Sequence, residues 1–203
     1  MFLLTSQITI ALLVILTILS VILLLWVPIN NIFQKKYFRS RYYLSIKKIV
    51  ETQDYRLINN FYFQIDENTQ AHFDHVIFGE KYIYLITSKF WKEGLLGKPQ
   101  DESWMYYASK SKHHYIDNPL AKNEIRTEKL SLITGIDRGL FITIVLINDD
   151  CLVDEDAKFN PKNIIVKRKK LKKVISNFEH SDVEKINDEQ LQKVVYLFDK
   201  LKK

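Results

Sequence analysis

Polar side chains within two apolar runs are the first candidates for chemistry in this sequence. Asp74 lies in the run at residues 72–78, and Thr87 and Lys89 lie at the end of the run at residues 82–89. In a strand, residues two apart point to the same face of the sheet. An aspartate on one strand and an acid-x-lysine on the next can hold Mg²⁺ and position an attacking water. Thr87, two residues before Lys89, supplies only a neutral hydroxyl.

Four consecutive basic residues at positions 167–170 form the densest positive cluster after residue 50. A helix there would present cations on all sides, which is typical of a solvated surface. The alternative is contact with phosphate groups of nucleic acid or of lipid head groups. The four residues are Lys167, Arg168, Lys169 and Lys170.

Histidines are weaker candidates for metal chemistry. His72 and His75 lie on either side of Asp74, and we expect them to face solvent or the core rather than a metal. His113 and His114 are adjacent in a predicted loop with no third ligand nearby. These two pairs therefore do not predict a metal site.

Composition favours one folded domain with an N-terminal appendage. Hydrophobic residues make up 47% of the chain and charged residues 27%, with 5 Gly and 4 Pro, which excludes a disordered or collagen-like protein. Cys151 is the single cysteine, so neither an internal disulfide nor a cysteine zinc site can form. The sequence has no glycine-rich phosphate loop, nucleophile elbow or CxxC motif. Nucleotide hydrolysis and thiol chemistry therefore have no support.

An apolar stretch at residues 8–27 is predicted to cross a membrane as an uncleaved helical anchor. It contains no charged side chain, and as a helix it would reach about 30 Å, the thickness of a bilayer core. A cleaved signal peptide is the alternative, but no basic segment precedes the stretch and no small-x-small site follows it. Trp26 fits the membrane interface, and Pro28 is expected to end the helix.

The net charge of +6 arises from a basic segment directly after the apolar stretch. Six cations precede the first acid, Glu51, and the rest of the chain is balanced. The positive-inside rule predicts a single-pass protein of the cell membrane, with its N-terminus outside and its C-terminal domain in the cytoplasm. We expect the basic segment to contact anionic lipid, with a nucleic-acid patch as the alternative. The six cations are Lys35, Lys36, Arg39, Arg41, Lys47 and Lys48.

Periodicity and turn residues predict the elements of the remaining chain. Residues 38–50 repeat apolar side chains at helical steps. Residues 141–147 form an uninterrupted apolar run, typical of a central strand buried on both faces. Asn118 and Pro119 form a helix start, and that helix is predicted to reach about Thr134. The other predictions are strands at 56–63, 72–78, 82–89, 104–108 and 164–166, a loop or hairpin at 90–103, and helices at 171–178 and 188–201.

Short segments between residues 73 and 130 share their order and spacing with a known family. They are Phe73-Asp74-His75-Val76, Tyr84-Leu85-Ile86-Thr87-Ser88-Lys89, Gly97, Trp104, and Asn118-Pro119-Leu120 with Asn123 and Leu130. Together they resemble the nuclease-related domain, abbreviated NERD, over roughly residues 43–178. That family is similar to the PD-(D/E)xK restriction-endonuclease-like nucleases, so the resemblance implies the ancestry of a metal-dependent phosphodiesterase.

The resemblance assigns roles to particular residues and shows where this chain departs from the family. Asp74 corresponds to the strand aspartate and Lys89 to the lysine, whereas Thr87 stands in place of the expected acid. Asp74 and Lys89 are alternatively a structural ion pair on neighbouring strands. The other departures are His72 for an acid, Leu44-Ser45 for a Gly-Glu pair, and Lys122 and Arg126, candidate nucleic-acid or lipid contacts, for a Gln and a His.

The expected fold is α+β, a restriction-endonuclease-like sheet flanked by helices and preceded by one transmembrane helix. The predicted boundaries are the anchor at residues 1–30, a basic juxtamembrane helix at 31–50, a NERD-like domain at 51–180 and a C-terminal helix at 181–203.

Two functions are compatible with this sequence. The favoured one is a membrane-anchored, catalytically degenerate NERD-like domain that acts as a binding or interaction module and needs no cofactor. The alternative is an active Mg²⁺-dependent nuclease of DNA or RNA, in which Glu51, Glu80 or Glu93 replaces the missing ligand. An unrelated membrane-tethered domain is the third option, and it predicts a sheet without Asp74 and Lys89 on adjacent strands.

Overall fold

The structure is a computed structural model that describes residues 2–109, 111–153 and 158–201. Within these ranges it describes every side chain except those of residues 2–9, 11, 27, 28, 30, 31, 34, 158 and 159. The chain divides into two units, Met1–Arg41 and Tyr42–Lys203. This division does not test the expected boundaries at residues 30, 50 and 180, which stay predictions.

Helix α1 spans Phe2–Gln53 and contributes residues to both units. The expected end at Pro28 is wrong, because α1 continues to Gln53. A proline costs about 3 kcal/mol within a helix, because it lacks an N–H donor and crowds the preceding turn, but it need not end the helix. The hydroxyls of Thr17 and Ser20 each donate to a backbone carbonyl of the preceding turn at 2.8 Å, so these polar groups are satisfied within the helix.

Large apolar side chains described between residues 10 and 26 of α1 are exposed, from 50% for Val14 to 76% for Leu24. Among the described residues, however, no helix has both the length and the apolarity that a membrane crossing requires. The predicted transmembrane anchor at residues 8–27 is therefore unsupported. Residues 8, 9, 11 and 27 of that stretch lie outside the described side chains.

The described part of the second unit contains two β-sheets and several helices. The strands are β1 (Arg56–Gln64), β2 (Gln70–Phe78), β3 (Ile83–Lys89), β4 (Gly94–Leu96), β5 (Ser103–Ser109), β6 (Lys112–Asp117), β7 (Phe141–Ile147), β8 (Lys158–Asn160) and β9 (Asn163–Lys167). The helices are α2 (Pro119–Thr134), α3 (Leu171–Glu179) and α4 (Asp188–Leu201), with short 3₁₀ turns at Arg138–Leu140 and Arg168–Lys170.

The larger sheet is mixed and has the strand order β1-β2-β3-β7-β9-β8. Strands β1, β2 and β3 form an antiparallel meander, whereas β3, β7 and β9 run parallel. All residues of β7 are buried, because it lies between two other strands and both of its faces are covered. The predicted α+β class, the meander and the central strand at residues 141–147 are thereby confirmed.

Helices cover both faces of the larger sheet. On one face, Phe198 of α4 stacks on Phe61 of β1 with ring centroids 4.8 Å apart, and Leu130 of α2 belongs to the same buried cluster. On the other face, the Tyr84 hydroxyl of β3 donates to Glu179 of α3 at 2.6 Å. The predicted helices at 171–178 and 188–201 therefore form where expected and pack on opposite sides of the sheet.

Asn118 starts α2 and also fixes the neighbouring loop. Its side-chain oxygen accepts two backbone N–H groups of the first helical turn at 2.9 and 3.2 Å. Its amide nitrogen donates to the carbonyls of Pro99 and Asp101, both at 2.7 Å. Gly135 follows the last turn with φ 69°, a left-handed conformation that ends the helix. The predicted helix start and end are confirmed.

The smaller sheet, in the order β4-β5-β6, partly replaces the loops predicted from the sequence. Residues 94–96 form a strand within the expected loop or hairpin, and His113 and His114 lie in β6 rather than in a loop. A strand of three residues is too short for periodicity to detect, and adjacent polar histidines mask the alternation of β6. Gly97 must lack a side chain, because a Cβ there would lie 2.4 Å from the Trp104 ring.

A charged network holds α2 against the end of the larger sheet. Glu124 is 9% exposed, and both of its oxygens accept hydrogen bonds from the Arg138 guanidinium at 3.1 and 2.8 Å. The amides of Asn160 and Asn163 donate to the same carboxylate at 3.1 and 2.8 Å. Removing Glu124 would leave a half-buried guanidinium and a fully buried amide with fewer partners.

We expect Glu124→Ala to lower the free energy of unfolding by about 3 kcal/mol, because breaking a buried ion pair strands the remaining charge. Glu128→Ala changes an exposed residue of the same helix and is expected to shift stability by less than about 0.5 kcal/mol. Urea unfolding of the full chain in detergent, followed by tryptophan fluorescence, measures both changes. Equal stability of the two variants would contradict this account of the network.

Candidate functional site

Asp74 and Lys89 lie on the adjacent antiparallel strands β2 and β3. The registered pairs of these strands end at His75 and Ile86. Beyond that point the Asp74 side chain forms a hydrogen bond with the backbone of β3. Its Oδ2 accepts the backbone N–H of Ser88 at 2.6 Å. This arrangement opposes the third option from the sequence, which required that the two residues not lie on neighbouring strands.

The backbone of β1 is irregular opposite Asp74. Asn60 has φ 52°, and the registered pairs stop at Asn59 with His75 and resume at Phe61 with Phe73. A left-handed residue within a strand is typical of a local bulge or kink. The burial of β2 alternates as far as His75, so Asp74 is half-buried between two buried neighbours, as expected in a regular strand.

Thr87 fills the position where the family carries its second acid. It is 5% exposed, and its Oγ1 donates to Oδ1 of Asn123 on α2 at 3.0 Å. Asn123 is itself only 2% exposed. The position therefore holds a buried neutral hydrogen bond between sheet and helix instead of a negative charge.

Arg126 lies one helical turn after Lys122 and brings a positive charge toward Asp74. Burial lowers the pKa of the guanidinium, and the negative charge of Asp74 opposes that shift. A cation already interacts with the one carboxylate that corresponds to a family metal ligand. A second cation such as Mg²⁺ would be repelled there.

The residues present do not fit the divalent metal that the family resemblance implies. Mg²⁺ requires several hard oxygen ligands, preferably charged, and Asp74 is the one carboxylate in the predicted set. Thr87 contributes a hydroxyl that is committed to Asn123. Within the described part of the chain, no cluster of three His, Cys, Asp or Glu side chains could hold a metal ion.

A cavity of about 440 Å³ opens beside Thr87, between the end of β3, the start of α2 and strand β6. Its lining carries three cations and one acid, and the acid, Asp117, pairs with Lys122 at 2.8 Å. The cavity therefore has a positive excess that suits an anionic ligand. Its lining residues are Thr87, Lys89, Trp91, Tyr115, Ile116, Asp117, Pro119, Lys122, Asn123, Arg126 and Val145.

The structure brings together some of the predicted site residues and separates others. Lys89, Lys122 and Arg126 share this cavity with Thr87. The basic cluster at residues 167–170 lies elsewhere, at the end of β9, where Lys167 and Lys170 line another cavity of about 530 Å³. In that cluster Arg168 pairs with Asp149 at 2.5 Å.

Two of the acids considered as replacement ligands are engaged elsewhere. Glu80 lies in the turn before β3, at the end opposite Lys89, and pairs with Lys185 at 2.5 Å. About 20 Å of strand separates that turn from Lys89. Glu51 pairs with Lys47 at 3.5 Å on α1. Glu93 lies before β4 and contributes its backbone carbonyl to the Leu152 N–H at 2.8 Å.

Sequence reasoning missed the aromatic members of the cavity. Trp91 lies in a loop, as predicted, but the sequence indicated no role for it or for Tyr115. The alternation of His113 and Tyr115 around a polar residue could have indicated a strand with one aromatic face. In the structure Tyr115 and the cations of α2 line the same cavity, because β6 leads directly into α2 at Asn118.

His75, next to Asp74, is buried. It is 8% exposed, stacks on Tyr43, and has its Nδ1 2.7 Å from the amide oxygen of Asn59, so Nδ1 carries the proton that it donates. Burial lowers the pKa of His75, and the charge of Asp74 only partly opposes this effect. The imidazole is therefore neutral in the folded protein at neutral pH.

We expect His75 to make the protein less stable in acid. Below about pH 6.5 the unfolded chain takes up a proton at this residue before the folded chain does, so stability is lost as pH falls, by at most about 1.4 kcal/mol per pH unit. Urea unfolding at a series of pH values from about 5 to about 8 measures how the free energy of unfolding changes with pH. His75→Gln should flatten this slope, whereas His114→Gln, at an exposed position, should not. An unchanged slope in His75→Gln would contradict the assignment.

Comparison with known families agrees with the resemblance found in the sequence. The family model described as the nuclease-related domain, NERD, matches residues 37–148, which is more than half of the chain. The matched range contains Asp74, Thr87, Lys89 and Arg126. Neither the curated proteins nor the solved structures contain a match to this chain. The chain belongs to the nuclease-related domain family.

Proposed function

We propose that this protein is a catalytically degenerate member of its family that binds nucleic acid without cleaving it through a metal. The observation that carries the proposal is the environment of Asp74, where a neutral Thr87–Asn123 hydrogen bond and the charge of Arg126 replace the second acid. The positive charge of Arg126 disfavours a divalent cation at Asp74, and Thr87 supplies no second charged ligand.

The cavity next to Asp74 supports a binding role. Lys89, Lys122 and Arg126 line it, and phosphate groups are the anions that such clusters contact in nucleic acids. Lys122 also pairs with Asp117, at exposed positions where a competing phosphate can displace the carboxylate at low cost. The ancestral substrate would thus be retained as a ligand.

The first test combines cleavage and binding on the full chain in detergent. We expect no cleavage of single- or double-stranded DNA or RNA with Mg²⁺ or Mn²⁺, but binding that weakens as salt rises. Arg126→Ala should weaken binding, whereas Lys193→Ala, on α4, should leave it unchanged. Metal-dependent cleavage that Asp74→Ala abolishes would overturn the proposal, and so would the absence of any binding.

The active-nuclease alternative makes a different prediction. It requires a migrated acid to complete a metal site, and of the three acids considered, Glu93 is the one that follows β3 at the same end as Lys89. Isothermal titration with Mn²⁺ decides the matter. Stoichiometric binding that is lost in both Asp74→Ala and Glu93→Ala would support an active nuclease and contradict degeneracy.

The proposal includes membrane attachment through the first unit, with the second unit on the cytoplasmic side. Support comes from the exposed Leu, Ile and Val side chains of α1 and from the basic residues that follow them, which suit anionic lipid. Fifteen exposed Leu, Ile and Val side chains are described in the first unit, and their exposure to water would be costly, at about 25 cal/mol for each Å² of apolar surface.

We expect the full chain to sediment with membranes and to resist extraction at alkaline pH. The double substitution Leu16→Arg and Leu19→Arg should release it, because each charge at the centre of a membrane helix costs about 3 kcal/mol. Leu132→Arg, at an exposed position of α2, is the matched control and should leave the chain in the membrane fraction. A wild-type chain found in the soluble fraction would contradict attachment.

A further inference from the structure

The smaller sheet has one buried face and one exposed face. Leu95, Trp104, Tyr106 and Ile116 belong to the buried cluster between this sheet and the larger one. The register pairs Met105 with Tyr115 and Tyr107 with His113, and it pairs Leu96 with Met105. These five residues therefore lie on the opposite face, which we call the outer face.

Aromatic side chains on the outer face are spread out in a row. Tyr115 is 68% exposed. The rings of Tyr107 and His113 have centroids 6.1 Å apart, and those of His113 and Tyr115 are 6.3 Å apart and perpendicular. Neither pair is stacked face to face, so ring faces remain available to a planar ligand.

The outer face is continuous with the cationic cavity. Tyr115 lines that cavity together with Lys89, Lys122 and Arg126. The outer face thus places aromatic rings beside the cations of the cavity. This combination suits an unpaired strand of nucleic acid. Its bases stack on the rings and its phosphates face the cations.

The same surface suits a duplex poorly. In a duplex the bases are stacked on one another and paired, so their faces cannot reach tyrosine rings on a sheet. Phosphate contacts alone would not distinguish single strands from duplexes, because both present a charged backbone. The aromatic row is thus the feature that selects between them.

We propose that the outer face binds single-stranded nucleic acid, with bases stacked on Tyr107, His113 and Tyr115 and the backbone over the cations of the cavity. The inference rests on the proposed function, since it assumes that the cavity binds nucleic acid, and it adds the class of nucleic acid and the residues that select it. The charge complementarity between cavity and backbone favours this occupant over a protein.

The experiment measures fluorescence anisotropy of a labelled oligothymidylate and of a duplex that contains the same strand, with the full chain in detergent. We expect the single strand to bind more tightly. Tyr115→Ala should weaken single-strand binding by about 5- to 100-fold, the effect of one lost base stack, and duplex binding by far less. Tyr115→Phe should retain binding, because the ring is kept. Tyr196→Ala removes a ring of similar exposure on α4 and is the matched control.

The outcomes separate this inference from the proposed function. Equal affinity for single strand and duplex, with no effect of Tyr115→Ala but a loss in Arg126→Ala, would overturn the inference and leave the proposed function standing. No binding of either ligand would overturn both. If Tyr115→Ala instead converts a dimer to a monomer in analytical ultracentrifugation without changing nucleic-acid affinity, the outer face is a contact between two copies and the inference is wrong.

Discussion

The interaction between α2 and the end of β3 determines what this site can do. Thr87 and Asn123 join sheet and helix through a buried hydrogen bond, and one turn further along the same helix Arg126 reaches the charge of Asp74. In a metal-dependent nuclease this junction would be held together by a cation between carboxylates. Here a hydrogen bond between side chains joins sheet and helix, and Lys122 and Arg126 of the same helix line the adjacent cavity.

The position of α2 depends in turn on Asn118. Its oxygen caps the helix and its amide nitrogen holds the loop before β5, so one side chain sets the helix and the smaller sheet relative to each other. Because Lys122 and Arg126 follow within two turns and Tyr115 precedes by three residues, cations and aromatic rings meet at the same cavity. Buried polar groups that are fully bonded specify geometry in this way, since any displacement would leave them without partners.

Much of the fold was accessible from the sequence. The apolar run of β7, the strand-like runs of β1 to β3 and the cap at Asn118 each report a local preference that the tertiary structure does not override. Strand β4 was missed because three residues show no period, and β6 because two adjacent histidines hide its alternation. The expected end of α1 at Pro28 is wrong, because a proline weakens or kinks a helix without necessarily ending it.

The amino-acid sequence by itself determined the family, most of the longer elements and the absence of an acid at Thr87, because these depend on residue identity and local periodicity. Tertiary structure alone decided that the charge of Asp74 acts on Arg126, that Glu80 lies at the end of β3 opposite Lys89, and that Lys167 and Lys170 line a different cavity. It also placed Tyr115 beside the cations. Such relations join residues that are far apart in the chain, and they exist only after the sheet and α2 have packed together.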